Sequence, residues 1–291
     1  MGKTALVLSG GGAKGAFQVG AEKYLREEKG YTWDVIGGVS VGALNGTMLA
    51  MEKHEKLEAI WRTISSNAVY SGKFNLFTLW KLYRGARSIY SNEPLAAIVE
   101  REIHPEKIVK DLRIGTVSLN SGRYTVYSGD DPNIKSAVLA STVVPVIWPP
   151  QYVSRECQMM VDGSLRRFSP IGDVLDADPE EVVIINCWPK HPAPLDEPPK
   201  NILDIAIRAL DISSAGIIYS DIHEFTHINY NVREAAAKGF ALNNPKGKPY
   251  REYKNLIIEP TEHLGWILDF SHESIERSME MGWNRARDVA G

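Results

Sequence analysis

Apolar positions along the chain fall into two spacings. Thr4 to Ser9 is a short β-branched and apolar run, stopped by Gly10-Gly11-Gly12, and predicts a strand. From Ala16 to Glu28 the apolar residues Phe17, Ala21, Tyr24 and Leu25 recur at a helical period. Trp33 to Gly37 is a second strand-like run cut by glycine, and Val41 to Met51 predicts another helix. Two successive strand, glycine turn, helix units predict a parallel sheet covered by helices. Further strands are expected at Arg113 to Leu119, Arg123 to Tyr127, Val182 to Cys187 and Leu256 to Ile258. Asn120-Ser121-Gly122 between the first two of these predicts a hairpin, so the sheet is expected to be mixed.

Two stretches break the pattern. Pro189 to Lys200 holds five prolines and reads as a surface loop. Phe74 to Tyr90 interleaves Phe74, Phe77, Trp80 and Tyr83 with Lys73, Lys81, Arg84 and Arg87. Its Phe74, Phe77 and Trp80 share roughly one helical face, which is expected to pack on the core; the alternative is a lid that touches a membrane.

Composition narrows the class. The chain has 291 residues, 44% of them hydrophobic and 24% charged, enough for a sizeable core. Its net charge of −3 removes the usual electrostatic motive for binding nucleic acid. Two cysteines, Cys157 and Cys187, make no disulfide framework and suggest a reducing compartment. The N-terminus lacks the apolar run of a signal peptide, Leu6 stands where a myristoylation signal needs Ser or Thr, and no apolar stretch reaches 18 residues. The expectation is a cytoplasmic protein, at most peripheral to a membrane.

The candidate chemistry begins with Gly10-Gly11-Gly12-Ala13-Lys14-Gly15, between a strand and a helix. Glycines there let the backbone turn sharply and present N–H groups to an anion, either a phosphate or the oxyanion of an acyl-transfer intermediate. The spacing also fits a dinucleotide fingerprint, but its acidic partner is missing, since Asp34 precedes the second strand. Lys14-Gly15-Ala16 is likewise not the Gly-Lys-Ser/Thr of a P-loop. Lys14 could attract a phosphate headgroup, although a solvent-facing structural role is the simpler expectation.

Gly38-Val39-Ser40-Val41-Gly42 follows an apolar strand and opens a helix, the setting of an exposed nucleophilic serine flanked by glycines that relieve crowding. Only 39 residues precede Ser40, too few for an α/β-hydrolase, and none of the seven histidines marks itself as a base. Asp162, followed by Gly163 and Ser164, offers a carboxylate at a strand end, or an ordinary Asp-Gly turn. His223-Glu224-Phe225-Thr226-His227 matches a zinc-protease string. Its third ligand is unclear, with Glu252 and Glu259 possible only by distance, and a plain helix surface is the preferred reading.

Taken in order, the glycine loop, Gly38 to Gly42 and Asp162-Gly163 resemble the patatin-like phospholipases. Ala140 to Pro145 with Trp148-Pro149-Pro150, and the terminal helix Ser271 to Ala290, are similar to further stretches of that family. The resemblance implies one domain over residues 1–291 with a three-layer α/β/α fold around a mostly parallel, mixed sheet. It implies a lipid acyl hydrolase, acting on phospholipid or another lipid ester without metal or other cofactor, with transient contact to a membrane surface. On this chain Ser40 would be the nucleophile and Asp162 its general base. Gly10, Gly11 and Gly12 would form the oxyanion loop, supported by Lys14, Gly15, Gly38, Gly42 and Gly163. Two positions depart from the family pattern: Ser164 follows Asp162-Gly163, and Phe168 replaces an expected Asn. A lipid-binding protein that no longer hydrolyses is therefore the alternative, ahead of an oxidoreductase or a zinc protease.

Overall fold

Side chains alternate across β1 (Thr4–Leu8), so that Leu6 and Leu8 enter one apolar cluster and Ala5 and Val7 another. Its neighbours repeat the division. Ile36 of β2 (Val35–Gly38) and Val183 and Ile185 of β7 (Glu181–Ile185) join Leu6, whereas Val35, Val182 and Ile184 join Val7. Strands buried on both faces carry continuous apolar runs, which is why these segments were legible as strands. The computed structural model describes residues 2–72, 75, 80–81, 83–153, 158–190, 194, 198–200, 202–244 and 247–291.

The other strands among the described residues are β3 (Asp111–Ser118), β4 (Tyr124–Ser128), β5 (Gln151–Val153), β6 (Gln158–Asp162) and β8 (Lys254–Ile258). They form an eight-stranded sheet in the order β5-β6-β3-β2-β1-β7-β8, with β4 also paired to β3. Strands β3, β2, β1, β7 and β8 are parallel; β4, β5 and β6 run antiparallel to their partners. The expected mixed sheet and its β3–β4 hairpin are present, while the short β5 was not anticipated.

Helices cover both faces. On the side of Leu6 lie α1 (Gly15–Lys29), α2 (Val41–Ala50), α3 (His54–Thr63), α4 (Glu93–Glu102), α5 (Ile134–Ser141) and the terminal α7 (His272–Ala290). The 36-residue α6 (Ile202–Ala237) covers the other face and brings Phe225 into the cluster of Val7 and Ile184. The three layers are those expected. Of the segment read as an aromatic helix face, Trp80 is half-exposed and Tyr83 almost fully exposed, so these two do not pack on the core; Phe74 and Phe77 lie outside the described residues.

Helices α1 and α7 cross at backbone contact. A Cβ on Gly20 would lie 1.9 Å from the Met279 carbonyl oxygen, and one on Gly282 would lie 2.0 Å from that of Phe17. Gly216 in α6 faces open space. Gly20→Ala is therefore expected to lower unfolding stability by about 3 kcal/mol, the upper range for overpacking. Gly216→Ala should leave stability unchanged or raise it by up to about 1 kcal/mol. Urea unfolding of the two variants checks the contrast.

Candidate active site

Strand β3 brings the distant segments together. Ile114 pairs with Gly38 of β2 and with Tyr127 of β4, while Thr116 pairs with Thr125 of β4 and with Asp162 of β6. A strand has two edges and β4 occupies one, so β2 and β6 meet the other end to end. Two residues along a strand span about 7 Å. The end of β2, which leads into Ser40, therefore faces the end of β6, which carries Asp162.

Ser40 is the turn between β2 and α2. Its backbone has φ 56° and ψ −129°, a conformation that costs a non-glycine residue on the order of 1–3 kcal/mol. The surroundings impose it. A Cβ on Gly42 would fall 2.3 Å from the Leu8 carbonyl oxygen, and one on Gly38 would fall 2.3 Å from that of Gly42. Only glycines at both flanks let the first turn of α2 lie against the end of β1. The Ser40 N–H donates to Ser141 Oγ (2.9 Å), and that hydroxyl donates to the Gly115 carbonyl (2.7 Å). Gly115 is the residue of β3 between the two pairing positions, so Ser141 ties the turn to the strand that aligns it. Ser141 lies in the Ala140 to Pro145 stretch, where nothing local shows that its hydroxyl points at residue 40.

Asp162 is 3% exposed. Its Oδ1 accepts a 2.8 Å hydrogen bond from the Ser164 N–H. Hydrogen bonds from that N–H, and from the Ser40 and Ser164 hydroxyls, draw its pKa down. Burial outweighs them and pushes the pKa up to about 6. Gly163 is needed for close approach, since a Cβ there would meet the Gly115 carbonyl oxygen at 2.5 Å.

The glycine loop closes the third side. The Gly10 N–H donates to the Phe168 carbonyl (3.2 Å), and the Gly10 carbonyl accepts from Trp188 Nε1 (3.2 Å). A Cβ on Gly10 would lie 2.4 Å from Ser164 Oγ and 3.2 Å from the Ser40 Cβ. Gly12 combines φ +57° with the Ile267 carbonyl oxygen 2.3 Å from where its Cβ would be. Among the described residues, the amides of Gly11 and Gly12 donate to no backbone acceptor. Gly15 opens α1 hard against Val41, the residue after Ser40.

Lys14 departs from the solvent-facing expectation. It is 1% exposed, with Nζ 3.2 Å from the centroid of the Trp188 ring and 3.4 Å from His263 Nε2. It is the last residue of a 3₁₀ turn (Gly12–Lys14) and is buried there. Phe168, a departure from the family pattern, packs edge-to-face on Trp188. Its N–H and that of Ser169 donate to Asp221 Oδ2 at 2.8 and 2.9 Å. Trp188 and Asp221 were not identified from the sequence. Each acts through a backbone group of a distant segment, and no local pattern marks that.

These groups share a cavity of about 820 Å³. Gly11, Gly12, Lys14, Ser40 and Asp162 line it beside Leu44, Trp61, Leu95, Ile147, Trp148 and Phe270. Volume and apolar lining are those of a small-molecule site. The buried Cys187 lies behind Gly11, its thiol pushed up to about 12 by burial. His223 and His227 stack on each other along α6, 5.7 Å apart. Among the described residues no group of three or more His, Cys, Asp or Glu is placed to hold a metal, and no helix is long and apolar enough to cross a membrane.

The family model of the patatin-like phospholipases matches residues 6–175, more than half of the chain and including Ser40 and Asp162. The chain belongs to the patatin-like phospholipase family. A segment of 47 residues, 16% of this chain, is 55% identical to the lysophospholipase nte1 of Aspergillus terreus, of which it covers 3%. Similar solved structures include VipD from Legionella pneumophila and the type III effector protein ExoU. VipD gives a TM-score of 0.48 at 14% identity over 99% of this chain and 66% of that one. ExoU gives 0.42 at 14% identity over 99% and 53%. The chain thus spans less than two thirds of either structure and a small fraction of the lysophospholipase.

Asp162 carries a stability signature. Its folded pKa of about 6 lies above the value near 4 of an unfolded aspartate, so the ionised carboxylate costs stability above pH 6 and nothing below pH 4. Asp162→Asn, which keeps an oxygen for the Ser164 N–H, is expected to be more stable than the native protein by roughly 2–3 kcal/mol at pH 8. The gap should close between pH 6 and 4. Denaturant unfolding of both proteins across that range measures it; Asp221, also pushed up to about 6 by burial, is common to both and cancels.

Proposed function

We propose that this protein is a serine lipid acyl hydrolase in which Ser40 attacks the ester carbonyl and Asp162 serves as general base. The observation that carries the reading is the meeting of a strained, cavity-facing serine with a buried carboxylate whose pKa is raised to about 6. An ordinary aspartate, with a pKa near 4, is a poor base towards an alcohol. Burial raises the basicity of Asp162 while leaving it mostly ionised at pH 7.

Attack by Ser40 Oγ forms the tetrahedral intermediate as its proton passes to Asp162. The negative charge developing on the carbonyl oxygen is met by the amides of Gly11 and Gly12, which need no reorganisation at that moment. The protonated Asp162 then protonates the leaving alcohol oxygen. Water, deprotonated by the same carboxylate, attacks the acyl-Ser40 ester; as the bond to Oγ breaks and the fatty acid leaves, Asp162 returns the proton to Oγ. Gly10 serves by its missing side chain, which lets Ser40 and Ser164 close on the loop, and Gly15, Gly38, Gly42 and Gly163 serve in the same way. Lys14 supports the loop from within through Trp188. The apolar lining suits an acyl chain, and a lipid ester reached from a membrane surface is the substrate class proposed.

Fluorophosphonate labelling is expected for the native protein and absent from Ser40→Ala. Ester turnover in that variant should fall by on the order of 10⁴ or more. Equal labelling of the two proteins removes Ser40 as nucleophile; binding of lipid without turnover by the native protein supports the lipid-binding alternative.

A separate expectation concerns pH. Loss of the ionised base should make kcat/KM fall about tenfold per pH unit below pH 6 and level off above it. A profile still flat at pH 4 assigns the proton to another group.

A further inference from the structure

A second cavity, of about 330 Å³, adjoins the first; Tyr70, Ile89, Tyr90 and Asp269 line it alone. Ile147, Trp266 and Leu268 line both cavities and so form the wall between them. Ile147 is 6% exposed and Leu268 half-buried, whereas Trp266 is 45% exposed. The inner part of the wall is therefore Ile147 and Leu268.

The backbone places Ile147 at a cost. Val146, the residue before it, has φ +73°. For a β-branched side chain that is a genuine outlier, held only where neighbouring bonds over-determine it. Those bonds are present: the Ile89 N–H donates to the Val146 carbonyl (2.9 Å) and the Tyr90 N–H to the Ile147 carbonyl (3.0 Å). Val146 itself points outward, 64% exposed, so the strain gains it no burial. What the turn achieves is to set Ile147 inward. The donors are residues 89 and 90, which line the far cavity, so one pair of bonds fixes both the wall and the chamber behind it.

We propose that the second cavity is a subsite for the distal end of an acyl chain, and that Ile147 with Leu268 is the wall that sets how long a chain the protein accepts. This rests on the acyl hydrolase reading above and adds the determinant of chain length. The charged lining group, Asp269, does not contradict an apolar ligand. It is half-buried, accepts from the Ser271 N–H at 3.1 Å, and serves the start of α7.

The test removes the wall. Ile147→Ala and Leu268→Ala, each checked for folding by its unfolding transition, are compared with the native protein on esters of octanoate, dodecanoate, palmitate and stearate. In parallel, calorimetry measures binding of the free fatty acids to the same proteins carrying Ser40→Ala. Each methylene newly buried strengthens binding about fourfold. Either variant is therefore expected to raise the stearate-to-octanoate ratio, in kcat/KM and in affinity, by about 10-fold or more. Ratios within twofold of native in folded variants overturn the proposal. Fatty-acid affinities that shift while no protein hydrolyses any ester keep the subsite and overturn the hydrolase reading instead.

Discussion

One edge of β3 has to hold two strands end to end. It pairs with the last residue of β2 at Ile114 and with the last residue of β6 at Thr116, and Gly115 between them is the meeting point. The Gly115 carbonyl receives the Ser141 hydroxyl that holds the Ser40 N–H, and it is the group that excludes a side chain from Gly163. A Cβ on Gly115 would itself strike the Tyr124 hydroxyl. The relative position of Ser40 and Asp162 is thus a consequence of sheet registry, and a one-residue slip would turn Asp162 to the opposite face of the sheet.

Electrostatics then follow from packing. The same burial that makes the ionised Asp162 costly raises its basicity, and the strained turn at Ser40 leaves that residue lining the cavity. Stability is given up at both residues, and in the proposed function the returns are chemical. The large two-sided core and the backbone-to-backbone crossing of α1 and α7 supply the stability that such a site draws on.

The glycine loop is held by groups remote in sequence. Phe168 contributes its carbonyl to Gly10 and its ring to Trp188; Trp188 contributes its indole N–H to Gly10 and its face to Lys14; Asp221 fixes the backbone of Phe168 and Ser169. Phe168 supports the loop through its main chain and an apolar ring. This scaffold spans three segments that no short motif links.

The amino-acid sequence by itself determined the parts governed by local rules. Strands β1, β2 and β7 were legible because burial on both faces demands unbroken apolar runs, and α1 because its apolar residues recur at a helical period. Gly38, Ser40, Gly42 and the glycine loop were legible because tight turns admit few residue types. The tertiary structure alone decided what depends on apposition: that the end of β6 carrying Asp162 meets the end of β2 leading to Ser40 along one edge of β3, that Lys14 is buried on Trp188, that Ser141 and Asp221 hold backbone amides, and that Ile147 lines two cavities. Local conformation is set by neighbours a few bonds away, whereas desolvation and hydrogen bonding between side chains arise only once the sheet has fixed which distant residues share a space.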